Sequence, residues 1–407
     1  MRVCYFGTYD ITRRGGPRTA SQSRNMVIIK GLRQNGVQVV ECHAELWRDT
    51  ADKIRAVKRG LFNLRLLRRA LANYFRLLKR YAKVGDYDVM IVGYPGYFDL
   101  FLAKLLALFS GKPLVFDAFI SLTETIVDDR SLARPRSLLG KLACLVDRYS
   151  CRLADLVILD TEAHIQYFCK DVGINPNKLR RVFAGADDIY HVPFLIEETN
   201  HFKVLYFGQF IPLHGANYIV EAAKILEAYP DIHFELVGRG QTYEEVTKLA
   251  KNLQVRNVTF HHRLPSAEAL MTNYILPANV CLGIFGDTPK ARRVVPTKVF
   301  VALSVGKPVI TGDSPAAREV LAHKENTLLC EMGNPEAIAE SILLLKNDAD
   351  LRQRIAEEGY RVFQQKFCPK AIGAVVKDYL AELVAGGGPS KGRGSEERSP
   401  TEGDTCP

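Results

Sequence analysis

The sequence has no apolar run long enough to cross a membrane. The longest candidate, Phe98–Phe109, is short and contains Asp99 and Lys104, whereas a spanning helix needs about 20 predominantly apolar residues. A secretory leader is not expected, because Arg2–Gly7 is typical of a buried strand. These absences exclude an integral membrane protein and lead us to expect a cytoplasmic one.

The cysteines form no C-x-x-C pair. The nine thiols are scattered, mostly in apolar segments, so we interpret them as reduced core residues of a cytosolic protein. A zinc site and a disulfide framework are therefore not expected.

The length and the charge of the chain indicate the number of domains and the kind of partner. A length of 407 residues suggests two domains of ordinary size. The composition, 47% hydrophobic and 25% charged, is that of a globular protein. The net charge of +10 favours acidic partners, namely nucleotides, anionic lipid surfaces or nucleic acid.

Short apolar runs alternate with helical patterns along both halves of the chain. Because these runs lack polar alternation, they predict parallel strands covered by helices on both faces. Two such series predict an α/β protein with two doubly wound, Rossmann-like domains facing a central cleft. The predicted strands are 2–7, 37–43, 87–92, 113–118, 155–160, 180–183, 202–208, 232–238, 257–261, 280–284, 308–311 and 327–330.

The predicted domains divide near a polar stretch around residue 195. We expect an N-terminal domain over 1–195 and a second over 196–370. A helix over 371–385 should dock on the body. The tail 386–407 is rich in glycine, serine, proline and charge, which predicts disorder.

The segment 51–84 is strongly basic. Eleven lysines and arginines stand against the single acid Asp52, and leucines and phenylalanines supply apolar faces. A basic amphipathic helix is typical of an element on an anionic membrane surface. A solvated helix and an RNA contact are the alternatives, and the second is disfavoured because no nucleic-acid motif accompanies the charge.

The most informative segment is Val294–Val309 (VVPTKVFVALSVGKPV). Pro296 suits the first turn of a helix and Thr297 can cap it, which places Lys298 in the first turn. A helix N-terminus carries partial positive charge and free N–H groups, so a lysine there favours an anion site such as a diphosphate site. A solvated lysine on an ordinary helix is the alternative.

Glycine-rich loops follow three other predicted strands. Gly15-Gly16-Pro17 follows the first strand, Gly208–Gly215 opens the second domain, and Leu236–Gly240 ends the next strand. Glycines let the backbone approach a ligand closely, and the carboxyl ends of parallel strands are where doubly wound domains bind ligands. Plain turns remain the alternative for each loop.

Polar side chains in these loops could meet phosphate groups. Gln209 and His214 lie in the second loop, and Arg239 in the third could pair with a phosphate bidentately. The segment 283–287 leads through Arg292 and Arg293 to Lys298, which makes an anion site if these cations converge.

Four blocks together resemble a known family. Tyr206–Ala223, Leu236–Gly240, Phe260–Pro265 and Pro296–Glu319 match, in order and spacing, the retaining glycosyltransferases of family 4. These are sugar-nucleotide enzymes with the two-domain GT-B fold. The first domain matches more loosely, through Gly15-Gly16 and 116–130.

The resemblance implies roles for individual residues. Gln209 and Lys298 would contact the diphosphate, with His214 where the family usually has a lysine and Gly16 nearby. The other implied donor contacts are Gly238, Arg239, Thr297, the nucleobase neighbours Arg263 and Leu264, and the sugar-facing Gly286, Arg292 and Arg293. Asp117, in the acceptor domain, would lie near the reacting sugar.

One departure from the family pattern bears on activity. The family commonly has two glutamates eight positions apart, where this chain has Arg293 and Val301. Valine cannot hydrogen-bond a ribose hydroxyl, and Glu319 is the suggested substitute. The departure keeps open the alternative of a non-catalytic GT-B scaffold or partner protein.

The resemblance implies sugar transfer, with retention, from a nucleoside diphosphate sugar to a glycan or lipid-linked glycan acceptor. The nucleotide sugar is a substrate, so no cofactor is expected. No D-x-D pair is present, and no metal site is expected. We expect a peripheral position on the inner face of the cell membrane through 51–84, and no nucleic-acid partner. A nucleotide-sugar epimerase is disfavoured because no pair of cleft carboxylates stands out.

Overall fold

The computed structural model describes residues 1–9, 20–45, 64–129, 134, 137–188, 201–262 and 265–386. Gly16, Arg263, Leu264, the proposed domain boundary at 195 and the tail after 386 lie outside these residues, as does the first part of the basic segment, 51–63. None of the described helices is long and apolar enough to cross a bilayer.

The first sheet has six parallel strands in the order β2-β1-β3-β4-β5-β6. Its strands are β1 (Arg2–Gly7), β2 (Gln38–His43), β3 (Val89–Val92), β4 (Leu114–Phe119), β5 (Leu156–Leu159) and β6 (Leu179–Arg181). The helices between them are α1 (Ala20–Gln34), α2 (Leu64–Tyr81), α3 (Asp99–Ser110), α4 (Leu138–Leu153) and α5 (Glu162–Tyr167).

The second sheet is also parallel, in the order β12-β11-β10-β7-β8-β9. Its strands are β7 (Phe202–Phe210), β8 (Ile232–Gly240), β9 (Val258–His261), β10 (Val280–Leu282), β11 (Val309–Gly312) and β12 (Leu328–Cys330). The α-helices of this half are α6 (Ala216–Ile225), α7 (Tyr243–Asn252), α8 (Ala267–Leu270), α9 (Thr297–Leu303), α10 (Pro315–Arg318), α11 (Pro335–Asn347), α12 (Ala349–Val362) and α13 (Pro369–Ala385).

The predicted fold class is confirmed, since each of the twelve predicted strands is present within one or two residues of its expected bounds. The central strands β1, β3, β4 and β5 are buried almost throughout. This burial on both faces is why their sequences are continuous apolar runs.

Helix packing differs between the two faces of the first sheet. On one face, Val27, Ile28 and Leu32 of α1 pack with Ile372 and Val376 of α13. The last helix in the described part of the chain therefore returns to the first domain. On the other face lie α2, α3 and α4, through the residues Leu77, Leu100, Ala103, Ala107 and Cys151.

The start of α9 differs from the prediction by one position. Pro296 is the residue before the helix, with extended backbone (φ −71°, ψ 146°), and Thr297 is the first helical residue. The predicted cap by Thr297 is therefore wrong, because the helix begins only after the extended proline. Lys298 still lies in the first turn, where the predicted anion site requires it.

The crossing of α1 and α13 depends on two glycines. A Cβ added to Gly373 would lie 2.0 Å from the backbone carbon of Gly31, and one added to Gly31 would lie 2.0 Å from the Pro369 carbonyl oxygen. Such distances are far below van der Waals contact, so the two helices approach backbone to backbone only because both positions lack a side chain.

We therefore expect Gly373→Ala to separate α1 from α13 and to lower the free energy of unfolding by about 2 kcal/mol, the usual range for overpacking. Urea denaturation followed by circular dichroism measures this. Gly386→Ala is the control, because its added Cβ would meet nothing closer than 3.2 Å. Equal stability of the two variants would contradict the tight crossing.

Candidate functional site

The candidate site lies at the carboxyl ends of β7 and β10. The chain order reverses between these neighbouring strands, since β8 follows on one side and β11 on the other. Such a switch point leaves a crevice between the loops that follow the two strands, and it is where open parallel sheets bind ligands. The loops here are 208–215 and 283–287.

Lys298 is buried against the end of β7. Its side chain enters beside Gly208, where an added Cβ would lie 3.3 Å from the Lys298 Nζ. The backbone of Gly208 has φ +136°, a conformation that only glycine adopts readily. The glycine at this position therefore provides the space that the lysine occupies.

No carboxylate of the described residues pairs with the Lys298 ammonium. Its Nζ lies 3.9 Å from the centre of the Tyr206 ring and 3.3 Å from the His214 Nδ1, and the residue is 8% exposed. Burial lowers the pKa of this lysine well below its usual value, because a buried charge without a counter-charge is costly. An anion bound here would remove that cost.

His214 is held by its own loop. Its Nδ1 lies 2.9 Å from the Tyr206 hydroxyl and 2.5 Å from the Gln209 carbonyl oxygen. The Tyr206 hydroxyl also donates to the Gln209 carbonyl oxygen, at 2.7 Å. The structure therefore brings together Gln209, His214 and Lys298, three of the residues that the sequence predicts at the diphosphate.

The two loops of the crevice pack against each other. The Phe285 N–H donates to the His214 carbonyl oxygen at 3.1 Å. A Cβ on Gly286 would lie 2.5 Å from the Pro212 carbonyl oxygen, and one on Gly238 would lie 1.9 Å from the Gly208 carbonyl oxygen. These two predicted ligand contacts are therefore positions of close backbone packing that fix the shape of the loops.

The predicted basic residues do not all converge on Lys298. Arg239 is exposed at the end of β8. Arg292 is about half exposed and pairs with Asp287, at 2.7 Å. Arg293 faces the first domain instead, where its Nε lies 2.8 Å from a carboxylate oxygen of Glu124 and its guanidinium lies over the Tyr167 ring. The prediction that Arg293 faces a donor sugar, as part of a cluster of cations near Lys298, is therefore corrected.

Asp117 has a structural partner. Arg24 donates to both of its carboxylate oxygens, at 2.9–3.2 Å, and both side chains are fully buried. The same arginine also donates to the carbonyl oxygens of Val182 and Phe183. We therefore assign Asp117 to the support of β4 and β6, and no longer to polar assistance at a sugar.

Glu319 is likewise occupied at the boundary between the domains. Its carboxylate accepts from the N–H groups of Glu162 and Ala163, at 2.7 and 3.0 Å, and pairs with Arg181. It therefore completes the N-terminus of α5, whose first N–H groups have no partner within the helix. This placement leaves it unsuited to replace a ribose-binding glutamate.

A buried charge cluster that was not predicted from the sequence joins the two domains. His164 lies between two carboxylates: its Nδ1 is 2.6 Å from Asp160 and its Nε2 is 2.7 Å from Glu124. Arg293 then pairs with Glu124 from the second domain. The only local signal was an aspartate and a histidine four residues apart after a predicted strand.

The members of this cluster perturb one another's pKa values. Burial alone would lower the pKa of His164, but the carboxylates of Glu124 and Asp160 raise it to about 10. Burial alone would raise the pKa of Glu124, but the charges of His164 and Arg293 hold it below its usual value. His164 and Glu124 thus favour each other's charged form, which is the pairing that burial of charge requires.

Comparison with solved structures identifies the fold. The chain superposes on Anabaena HepE in complex with UDP-glucose with a TM-score of 0.65, 18% identity and coverage of 94% of this chain and all of the other. For sucrose-phosphate synthase from Thermosynechococcus elongatus the TM-score is 0.70 at 15% identity, with 95% and 99% covered. These likenesses, together with the two six-stranded parallel sheets, show that the chain has the GT-B fold.

Sequence comparison places the second domain in a family. The model for glycosyl transferases group 1 matches residues 193–362. An uncharacterized glycosyltransferase of Haemophilus influenzae is 27% identical over 168 residues, 39% of this chain and 45% of that protein. The lipopolysaccharide core biosynthesis glycosyltransferase LpsD of Rhizobium meliloti is 25% identical over 194 residues, 45% of this chain and 50% of that protein. The second domain of this chain is therefore similar to the glycosyl transferases group 1 family.

These matches are partial. The chain spans about half the length of the curated relatives that it matches. The residues that the family model matches, 193–362, include Lys298.

The His164 cluster predicts a pH-dependent stability. The raised pKa of His164 stabilises the fold by its full amount below about pH 6.5. This contribution is lost as the pH rises toward the folded-state pKa of about 10, because only the folded state retains the proton. We expect His164→Gln to remove a decline on the order of 3 kcal/mol between pH 6.5 and 9.5.

Urea denaturation at several pH values measures this difference. His233→Gln is the control, since that histidine is about one third exposed. If wild type and His164→Gln decline in parallel, the imidazolium is not held by the two carboxylates.

Proposed function

We propose that this chain is a retaining glycosyltransferase that moves a sugar from a nucleoside diphosphate sugar to an acceptor hydroxyl. The observation that carries the proposal is Lys298, a buried cation at the β7–β10 switch point with no carboxylate partner among the described residues. A diphosphate supplies the negative charge that this site lacks.

The proposed chemistry follows from the leaving group. As the bond between the sugar and the diphosphate breaks, negative charge grows on the diphosphate oxygens. A lysine already buried at that position stabilises this charge without reorganisation. Helix α9, which begins at Thr297, adds its N-terminal N–H groups and partial positive charge. Lys298 is thus the proposed catalytic residue, and transfer would need no metal ion.

The other substrate assignments rest on the relatives. HepE, which has a similar fold, was crystallised with UDP and with UDP-glucose. This supports a nucleotide-sugar donor, with uracil as the first base to test. The name of LpsD supports a glycan of the cell envelope as acceptor. The first domain would hold that acceptor, free or lipid-linked, near an anionic membrane surface that the segment 51–84 contacts.

The alternative is a non-catalytic scaffold. Val301 packs against the apolar core of the second domain, and Arg293 pairs with Glu124, so neither supplies the carboxylate that the family commonly has at its position. Donor binding without turnover or hydrolysis would favour this alternative.

A test of the donor site replaces Lys298 by methionine, which keeps the packing over Tyr206 and removes the charge. We expect the melting temperature of the free protein to rise slightly, since methionine avoids the cost of burying a lysine without a counter-charge. Affinity for the donor should fall about 10–100-fold, the range for a charge-assisted hydrogen bond worth about 1.5–3 kcal/mol.

Thermal shift with a panel of UDP-, GDP-, dTDP- and ADP-sugars measures both quantities. Lys251→Met is the control, because Lys251 is exposed on α7 of the same domain. A donor that stabilises wild type and Lys298→Met equally would refute the diphosphate contact.

Donor binding should also take up a proton. Burial lowers the pKa of Lys298 in the free protein, and a bound diphosphate favours the charged form and raises it again. At any pH between the two values, binding therefore adds protons to the protein.

Calorimetric titration with UDP-glucose in phosphate and in Tris buffer, which differ in ionisation enthalpy, counts these protons. We expect uptake of a fraction of one proton for wild type and none for Lys298→Met at a donor concentration that still saturates it. Equal uptake by both proteins would assign the proton to another group.

A further inference from the structure

Large apolar side chains are exposed on one side of the first domain. Of the eighteen large hydrophobic residues that are exposed in the described part of the chain, twelve lie on or beside α2, α3 and α4. These helices cover the same face of the first sheet. We call this face the outer helical face and define it by the outward side chains of 68–83, 98–109 and 138–152.

Helix α3 carries apolar side chains on its inner and on its outer side. Leu100, Ala103 and Ala107 face the sheet, while Phe101, Leu105 and Leu108 face outward and are 47–62% exposed. Phe109 is 89% exposed at the helix end. The outward side of a surface helix is normally polar, so this outer apolar stripe lacks the cover that its composition predicts.

The neighbouring helices repeat this stripe. On α4, Leu138, Leu142 and Leu145 recur at intervals of three and four residues and are 45–85% exposed. On α2, Leu71, Phe75 and Leu78 recur at the same intervals and are 40–60% exposed. The outward apolar side chains together present roughly 1,000 Å2, above the few hundred Å2 usual for the largest patch of a monomer.

The charges of this face have one sign. The two acids of the three helices, Asp99 and Asp147, are buried. The charged side chains that are exposed on them are lysines and arginines, among them Arg76, Lys79 and Lys141. The outer helical face is therefore apolar and cationic, with no exposed carboxylate among its described residues.

We infer that the outer helical face docks on an anionic lipid bilayer, with the apolar stripes of α3 and α4 entering the headgroup region. An anionic surface complements the cations, and acyl chains cover the leucines and phenylalanines. Lys79 already extends over the Phe75 ring, 4.5 Å from its centre, so that its charge and an apolar ring lie at one depth.

This inference extends the basic segment predicted from sequence. It adds the helices α3 and α4, which have no dense basic pattern. It also gives the docking an apolar component, which salt does not screen. A second copy of the chain is disfavoured as the cover, because pairing two such faces brings like charges together. The inference does not depend on the proposed transfer reaction.

The test uses the full chain and vesicles of phosphatidylcholine alone or with 30% phosphatidylglycerol. We expect co-sedimentation with the anionic vesicles that weakens, but persists, at 0.5 M NaCl. The variant Phe101→Ser/Leu105→Ser/Phe109→Ser should bind at least tenfold more weakly, and Lys79→Gln/Lys83→Gln severalfold more weakly.

The control is Ile225→Ser/Leu344→Ser, which removes two exposed apolar residues of the second domain and should bind as wild type does. Donor-induced thermal shifts should be the same in all variants, which separates this test from that of the donor site. Absence of binding to anionic vesicles, equal binding by the triple serine variant, or a wild-type dimer that this variant converts to a monomer would each overturn the inference.

Discussion

The buried contact between Glu124 and Arg293 is a central electrostatic interaction between the two domains. Glu124 belongs to the first domain and is fully buried, so its charge must be balanced nearby. His164 balances it from the same domain and Arg293 from the other. Separation of the domains would leave the carboxylate with one cation instead of two. The contact between the two domains is therefore electrostatically favoured.

The cations Arg24, Arg293 and Lys298 differ in the groups that they pair with. Arg24 is matched by Asp117, and Arg293 by Glu124, so each forms part of the framework. The Lys298 Nζ lies against an aromatic ring and an imidazole, and no carboxylate of the described residues pairs with it. The difference separates structural charge from charge available to a ligand. A buried cation that already pairs with a carboxylate gains little electrostatic free energy from a further anion. A buried cation without a carboxylate partner gains more, because the anion offsets the cost of burying its charge.

The sequence predicts the fold well, because parallel strands leave a local signature. Each strand is a short apolar run, and its burial on two faces depends little on which strand lies beside it. The first-turn position of Lys298 was predictable for the same reason, since proline marks the start of α9. The partners of Arg293 and Asp117 were not predictable, since Glu124 and Arg24 lie 169 and 93 residues away. Contacts at such separations exist only after both sheets have formed, and the local pattern of charge does not predict them.

The pairing of Arg293 also accounts for one departure from the family pattern. A glutamate at position 293 would place a second carboxylate against Glu124, and two buried carboxylates in contact cannot both stay ionised at moderate cost. Position 293 and position 124 are thus electrically coupled, so that the acid in the first domain requires a cation in the second. The absence of a glutamate at 293 therefore follows from the way that this chain joins its domains, and by itself it says nothing against a donor held at Lys298. Position 301 is different, because Val301 packs against apolar side chains and no comparable partner explains it.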